Sequence, residues 1–124
     1  MTINTCILCM GSNFERDIHL NAARKALKEQ FSGISFGKEI ETEAIGEIYL
    51  SPFSNQIAKF ETTLAPDEIR SIFKDIEHQN GRLPEEKALG IVKLDIDLLT
   101  FNNLVLKPED LHREYIQKEL SNLE

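Results

Sequence analysis

The residues best placed to do chemistry in this 124-residue chain are Asp95 and Asp97, in the run Leu94-Asp95-Ile96-Asp97-Leu98-Leu99. Across 92–99, Val92, Leu94, Ile96 and Leu98 share one parity, and Lys93, Asp95 and Asp97 share the other. That alternation predicts a strand with one buried face. Both carboxylates then project from the same face, about 6.5–7 Å apart along the chain. Two like charges held this close repel unless something neutralises them. Mg²⁺ suits the task, because it takes one or two carboxylates and completes its shell with waters and substrate phosphates. Two such ions can clamp both oxygens of an in-line phosphoryl displacement. The same spacing also describes a solvated polar face on which Lys93 pairs with Asp95.

Two further features invite a chemical reading. Gly11-Ser12-Asn13 separates a strand from a helix. It can bring backbone N–H groups to a ligand, or serve as a plain βα turn with an asparagine cap. It lacks the GxxxxGK[ST] pattern of a Walker loop. Cys6 and Cys9 have CxxC spacing, but on a strand residues three apart face opposite ways. With no second CxxC, and with His19, His78 and His112 scattered, the pair reads as small buried side chains.

The elements that must carry these residues follow from periodicity. A short apolar strand is expected at 5–10 and a helix over 15–30, its stripe built from Ile18, Ala22, Ala26 and Phe31 with Ala23 and Leu27 beside it. A second strand is expected at 34–42, a loop at 44–52, and a half-buried strand at 55–62. Pro66-Asp67-Glu68 starts a helix, which Gly81 ends. A polar loop follows at 82–90, then the aspartate strand, a short edge strand at 104–106, and a last helix from Pro108 to about Leu123. The order β-α-β-β-α-β predicts an α+β, ferredoxin-like split βαβ fold, an antiparallel sheet with two helices on one face plus a C-terminal helix. The helices should cover the face bearing Leu94 and Ile96, leaving the aspartates on the open face. In the last helix Leu111, Tyr115, Ile116, Leu120 and Leu123 form an apolar stripe, fit either for the chain's own sheet or for a partner copy.

Composition bounds the rest. A chain of 14.2 kDa is one domain, 1–124, large enough for a real core. Hydrophobic residues at 41% and charged residues at 28% exclude a disordered chain. Fourteen basic against 21 acidic residues leave a net charge of −7, a poor footprint for nucleic acid. No apolar run reaches the ~18–20 residues of a membrane span. The N-terminus has no signal-peptide pattern, so the expected location is the cytoplasm.

In sequence order, CILCMGSNF, Glu41-Thr42 with Gly46, Phe53-Ser54-Asn55, Thr63-Leu64-Ala65-Pro66, Ile76-Glu77 with Gly81-Arg82, and LDIDLL resemble landmarks of the 6-hydroxymethyl-7,8-dihydropterin pyrophosphokinase family, over residues 5–111. The resemblance implies an ATP-dependent enzyme of folate biosynthesis. It transfers pyrophosphate from ATP, its co-substrate, to the hydroxymethyl of the pterin, with two Mg²⁺ ions on Asp95 and Asp97. It implies that Asn55 reads the edge of the pterin, that Phe53 stacks on its ring, and that Thr42 and Ile45 belong to the pterin loop. Arg82 joins the two aspartates as a catalytic residue, and Glu77, Arg82 and Lys87 stand near the nucleotide. The expected partners are these small molecules, with neither nucleic acid nor membrane, in a monomer or in a homodimer through the last helix.

The chain departs from the family at two places. The family's Arg-Trp-Gly-Pro-Arg run is replaced within LPEEKALGIVK, residues 83–93, where only Gly90 corresponds. The family's later Val-Pro-His and Arg-x-Phe segments, with their second aromatic, are expected to be missing. An arginine that stabilises a transferring phosphoryl is worth ~10³–10⁵ in rate. The alternative reading is therefore a pterin-binding or interaction paralogue with weak or lost transfer.

Overall fold

Gly-free from Asn4 to Met10 and apolar on both faces, the first strand, β1 (Asn4–Ser12), can be covered from both sides and becomes the centre of the sheet. The computed structural model describes residues 2–43 and 51–123. After β1 come α1 (Arg16–Gln30), β2 (Ser35–Phe36), β3 (Ile40–Thr42), β4 (Phe53–Thr62), α2 (Pro66–Gln79), α3 (Pro84–Ala88), β5 (Asp95–Phe101), β6 (Leu104–Val105), α4 (Pro108–Leu111) and α5 (Glu114–Leu123). The strands run in the order β2-β4-β1-β5-β6, with β3 also on β4, and every pairing is antiparallel. This is the split βαβ order expected from the sequence. The expected strand at 34–42 is two short pieces, because the segment between them leaves the ladder. There the Gly37 N–H donates to Ile57 O, and a side chain at Gly37 would crowd Ile57 at 3.2 Å.

The main core lies between the sheet and helices α1 and α2. Cys6, Leu8 and Met10 of β1, Ala58 and Phe60 of β4, and Ile96 and Leu98 of β5, with Leu94 just before it, meet Leu20, Ala23 and Leu27 of α1 and Ile69, Phe73 and Ile76 of α2. Phe60 holds Phe31 at 4.4 Å and meets Phe73 edge-on at 6.2 Å. The buried face of α1 is rotated from the stripe expected around Ile18 and Ala22. Ile18 is 62% exposed, and His19 and Leu20 take the inward positions.

The other face of the sheet carries a second, smaller core. Ile7 and Cys9 of β1, Ile57 of β4 and Leu99 of β5 pack against Leu111 of α4 and Tyr115, Ile116, Leu120 and Leu123 of α5. The apolar stripe of the last helix is thus laid on the chain's own sheet. The helix is in two pieces, which break at His112-Arg113. The face expected to be open is open only where α5 does not reach.

Asn13 explains how the 83–93 segment returns to the sheet. Its N–H donates to Val92 O (2.9 Å), its Nδ2 to Gly90 O (2.8 Å), and its Oδ1 accepts Val92 N–H (2.6 Å). It is a buried clamp, not the helix cap that a βα turn offered; Glu15 holds the cap position, with φ 46°. Gly90, at φ 79°, makes the turn that the clamp grips. Asn13→Ala leaves a buried N–H and a buried carbonyl without partners, about 2–4 kcal/mol. A drop in melting temperature of roughly 6–15 °C is expected; a drop of under 3 °C would show that water replaces the clamp.

Candidate active site

Register places the chemistry in one row across three strands. Asn55 of β4 faces Gly11 of β1, and Gly11 faces Asp95 of β5. Cys9 lies next along β1, between Ile57 and Asp97. Alternation on each strand gives these residues a common face, the one opposite α1 and α2. Beyond the reach of α5 this face forms a cleft of about 430 Å³. Its floor is Cys9, Met10 and Gly11, and its walls include Thr42, Phe53 and Asn55 on one side and Asp95 and Asp97 on the other.

Gly11 keeps that floor flat. A Cβ there would stand 2.8 Å from Asn55 Oδ1. Asn55 is oriented from its other end, where Nδ2 donates to Thr42 Oγ1 at 2.7 Å. Its carboxamide oxygen therefore lies over Gly11 with its direction set. Gly11→Ala displaces a side-chain tip and not backbone, so the fold survives while the carboxamide turns. A melting temperature within about 3 °C of the parent is expected; a larger drop would show that backbone, and not only the tip of Asn55, has to move.

The aspartates are the electrostatic centre. Burial, then the neighbouring charge of Asp95, then a hydrogen bond between the two carboxyls push Asp97 up to about 7; Lys107 works against the shift and Asp110 with it. Asp95 is held differently. Arg82 Nη1 donates to its Oδ1 at 2.6 Å, to Leu94 O at 3.2 Å, and meets Glu77 Oε2 at 3.2 Å. Burial works against the Arg82 charge, but Asp95, Glu77 and Asp97 hold the guanidinium protonated more firmly than usual. The pairing of Lys93 with Asp95 does not form. β5 starts only at Asp95, so Lys93 turns away and bridges Glu86 (3.2 Å) and Gly81 O (3.2 Å).

Glu77 is 6% exposed, and its Oε2 accepts the Ile96 N–H at 2.8 Å. Burial raises its pKa, while that hydrogen bond and Arg82 pull it back. It caps the edge of β5 where β6, which pairs only with Thr100 and Phe101, gives no partner. Lys87 lies on α3, a short helix within the expected polar loop. Pro84-Glu85-Glu86 starts it with the same signal that starts α2. Ile45 lies outside the described residues.

Sequence reasoning missed Asp110, Arg113 and Tyr115, which close the cleft from the α4–α5 side. Arg113-Glu114-Tyr115 has an Arg-x-aromatic spacing, the signal that was available. Tyr115 puts an aromatic side chain on this side of the cleft. Burial and the Asp97, Asp110 and Asp95 charges push the Cys9 thiol up to about 12, so it lines the cleft as a neutral thiol. Among the described residues no three His, Cys, Asp or Glu side chains group as a closed metal centre. Two hard carboxylates with open positions remain, which is the donor set of Mg²⁺ completed by substrate oxygens.

A second cleft, about 330 Å³, runs along the free edge of β5 on the α2 side, and Asp95 and Asp97 belong to its wall as well. No described helix is long and apolar enough to cross a membrane.

The comparisons with known proteins agree with the landmarks. A family model described as 7,8-dihydro-6-hydroxymethylpterin-pyrophosphokinase matches residues 7–124, and so extends through the segment that carries Arg113 and Tyr115. The 2-amino-4-hydroxy-6-hydroxymethyldihydropteridine pyrophosphokinase of Haemophilus influenzae is 26% identical over 110 residues, 86% of this chain and 68% of that protein. That of Bacillus subtilis is 30% identical over 112 residues, covering 87% and 66%. The folic acid synthesis protein FOL1 of Dictyostelium discoideum is 31% identical over 111 residues, covering 87% of this chain and 16% of that protein. The chain spans about two thirds of the length of the two bacterial relatives. With a matched span of that extent, the chain belongs to the 7,8-dihydro-6-hydroxymethylpterin-pyrophosphokinase family.

Proposed function

We propose that this chain transfers a pyrophosphoryl group from ATP to the hydroxymethyl group of 6-hydroxymethyl-7,8-dihydropterin. The observation that carries the reading is the position of Asp95 and Asp97, the wall shared by two clefts. One cleft has a flat glycine floor, aromatic side chains from Phe53 and Tyr115, and an oriented carboxamide, which suits a flat heterocycle. The other is lined by cations, which suits a polyphosphate. The reacting groups of two substrates would meet at the aspartates.

In this reading Asn55 matches the amide-like edge of the pterin with one donor and one acceptor. Phe53 and Tyr115 confine the ring, and Thr42 holds Asn55 in place. Ile45 belongs to the adjoining pterin loop. Asp95 and Asp97 hold two Mg²⁺ ions, which supply charge neutralisation at the phosphates. Arg82 orients Asp95, and Glu77 orients Arg82; both act through the aspartate before touching nucleotide. The pterin hydroxyl oxygen bonds to the β-phosphorus of ATP, the bond from that phosphorus to the α–β bridging oxygen breaks, AMP leaves, and the hydroxyl proton passes to solvent. On the altered segment Lys93 is taken by Glu86 and Gly81 O, and Lys87 carries a second positive charge suited to phosphate.

The replacement of the family's arginine-rich run favours a second reading, pterin binding with little transfer. Incubation with ATP, Mg²⁺ and the pterin, with AMP quantified by mass-detected chromatography, decides between them. AMP that requires the pterin supports transfer. Pterin binding without AMP leaves the second reading, and neither one overturns both.

A further inference from the structure

Four cations, Arg70, Lys74, Arg82 and Lys107, line the cleft along the free edge of β5, and two of them are unspent. Arg82 is occupied by Asp95, Glu77 and Leu94 O. Arg70 has only a loose 3.5 Å pairing with Asp67, itself almost fully exposed. Among the described residues Lys74 and Lys107 make no ion pair; their charges are felt at Glu77 and Asp97 respectively. Arg70 and Lys74 stand one turn apart on α2 and so share a face. Lys107 reaches the same cleft from the turn before α4. Phe73, Ile96 and Leu98 supply an apolar lining between them. The segment between Gly81 and Asp95, where phosphate-gripping cations would be sought first, has Lys93 already bound to Glu86 and Gly81 O.

We propose that Lys74 and Lys107, with Arg70 beside Lys74, hold the polyphosphate of the nucleotide, so that the gripping cations come from α2 and the turn before α4. This rests on the pyrophosphokinase reading and names the residues that serve its nucleotide. A triphosphate brings up to four negative charges against a wall that already carries Asp95 and Asp97. Mobile lysine ammoniums can follow the phosphates as the charge moves, where a fixed guanidinium fork would not.

The test is calorimetric titration of the full chain with the Mg²⁺ complex of α,β-methylene-ATP, alongside a pterin titration. Lys74→Gln and Lys107→Gln are expected to raise the nucleotide Kd about 10-fold each and roughly 100-fold together, with pterin affinity within twofold of the parent. Lys74→Arg should retain most of the affinity. If the parent binds the analogue and both glutamine variants match it, the inference falls alone; a 10-fold loss in Lys87→Gln in their place would move the grip to α3. If the parent binds pterin and no analogue, the inference and the transfer reading fall together. Both lysines are exposed, so misfolding does not confuse the outcome.

Discussion

Asp97→Asn is expected to slow pyrophosphoryl transfer about 10³-fold, roughly 4 kcal/mol in the barrier, and at the same time to stabilise the ligand-free protein at pH 8. The two effects have one cause. Asp97 is buried beside Asp95, and its carboxyl titrates near 7 against an ordinary value of 3.8. The folded chain therefore holds that proton more tightly than the unfolded chain. Between pH 4 and 7 the folded carboxyl is protonated while the unfolded one is ionised, so the apo protein gains stability as pH falls through this window. Above pH 7 both are ionised and the folded state carries the repulsion. The full gap corresponds to about 4 kcal/mol, which partial exposure and solvent screening reduce to about 1–2 kcal/mol. Asparagine removes the charge and with it the cost, so a melting temperature higher by roughly 3–8 °C at pH 8 is expected, shrinking toward pH 5. The same proton competes with Mg²⁺. Magnesium affinity of the parent should fall about 10-fold per pH unit below 7 and be nearly flat above 8. A variant that loses activity without gaining stability at pH 8 would show that Asp97 is not under electrostatic strain. Activity within 10-fold of the parent would remove it from the metal site.

Much of this arrangement was legible because strands alternate. The parity of 92–99 put Leu94 and Ile96 in the core and the aspartates together, and the structure places them so. The helix-start signal at Pro66 and the landmark spacing through Asn55 likewise carried to the right elements. What was not legible depended on who faces whom. Lys93 shares a parity with Asp95, yet the strand begins after it, and it pairs with Glu86 on α3. Gly11 reads as a turn residue, and only the register shows it as the floor beneath Asn55. Ile18 belongs to an acceptable helical stripe, but α1, entered through the left-handed Glu15, has His19 and Leu20 inward instead. The break between α4 and α5 has neither glycine nor proline to announce it. Asp110 before that break and Arg113 in it both reach the cleft, and periodicity, which read Tyr115 only as part of an apolar stripe, gave no sign of either.

Glu77 separates scaffold from substrate contact. Its Oε2 accepts the Ile96 N–H and meets Arg82, while Arg82 in turn holds Asp95. Glu77→Ala leaves that edge N–H unpaired and a half-buried guanidinium short of one carboxylate, a loss of about 3 kcal/mol or more. A fall in melting temperature of roughly 10 °C or more follows. Glu77→Gln keeps an acceptor for Ile96 and removes only the charge, so it should cost about 1 kcal/mol. With Glu77 neutral, Asp95 becomes the sole carboxylate partner of Arg82 and is less available to a cation. A Mg²⁺ Kd raised about 3- to 10-fold is expected, with nucleotide affinity at saturating Mg²⁺ close to the parent. If the glutamine variant instead loses nucleotide affinity at saturating Mg²⁺, Glu77 touches the nucleotide directly. If it is as unstable as the alanine variant, the charge and not the hydrogen bond to Ile96 holds this corner of the site.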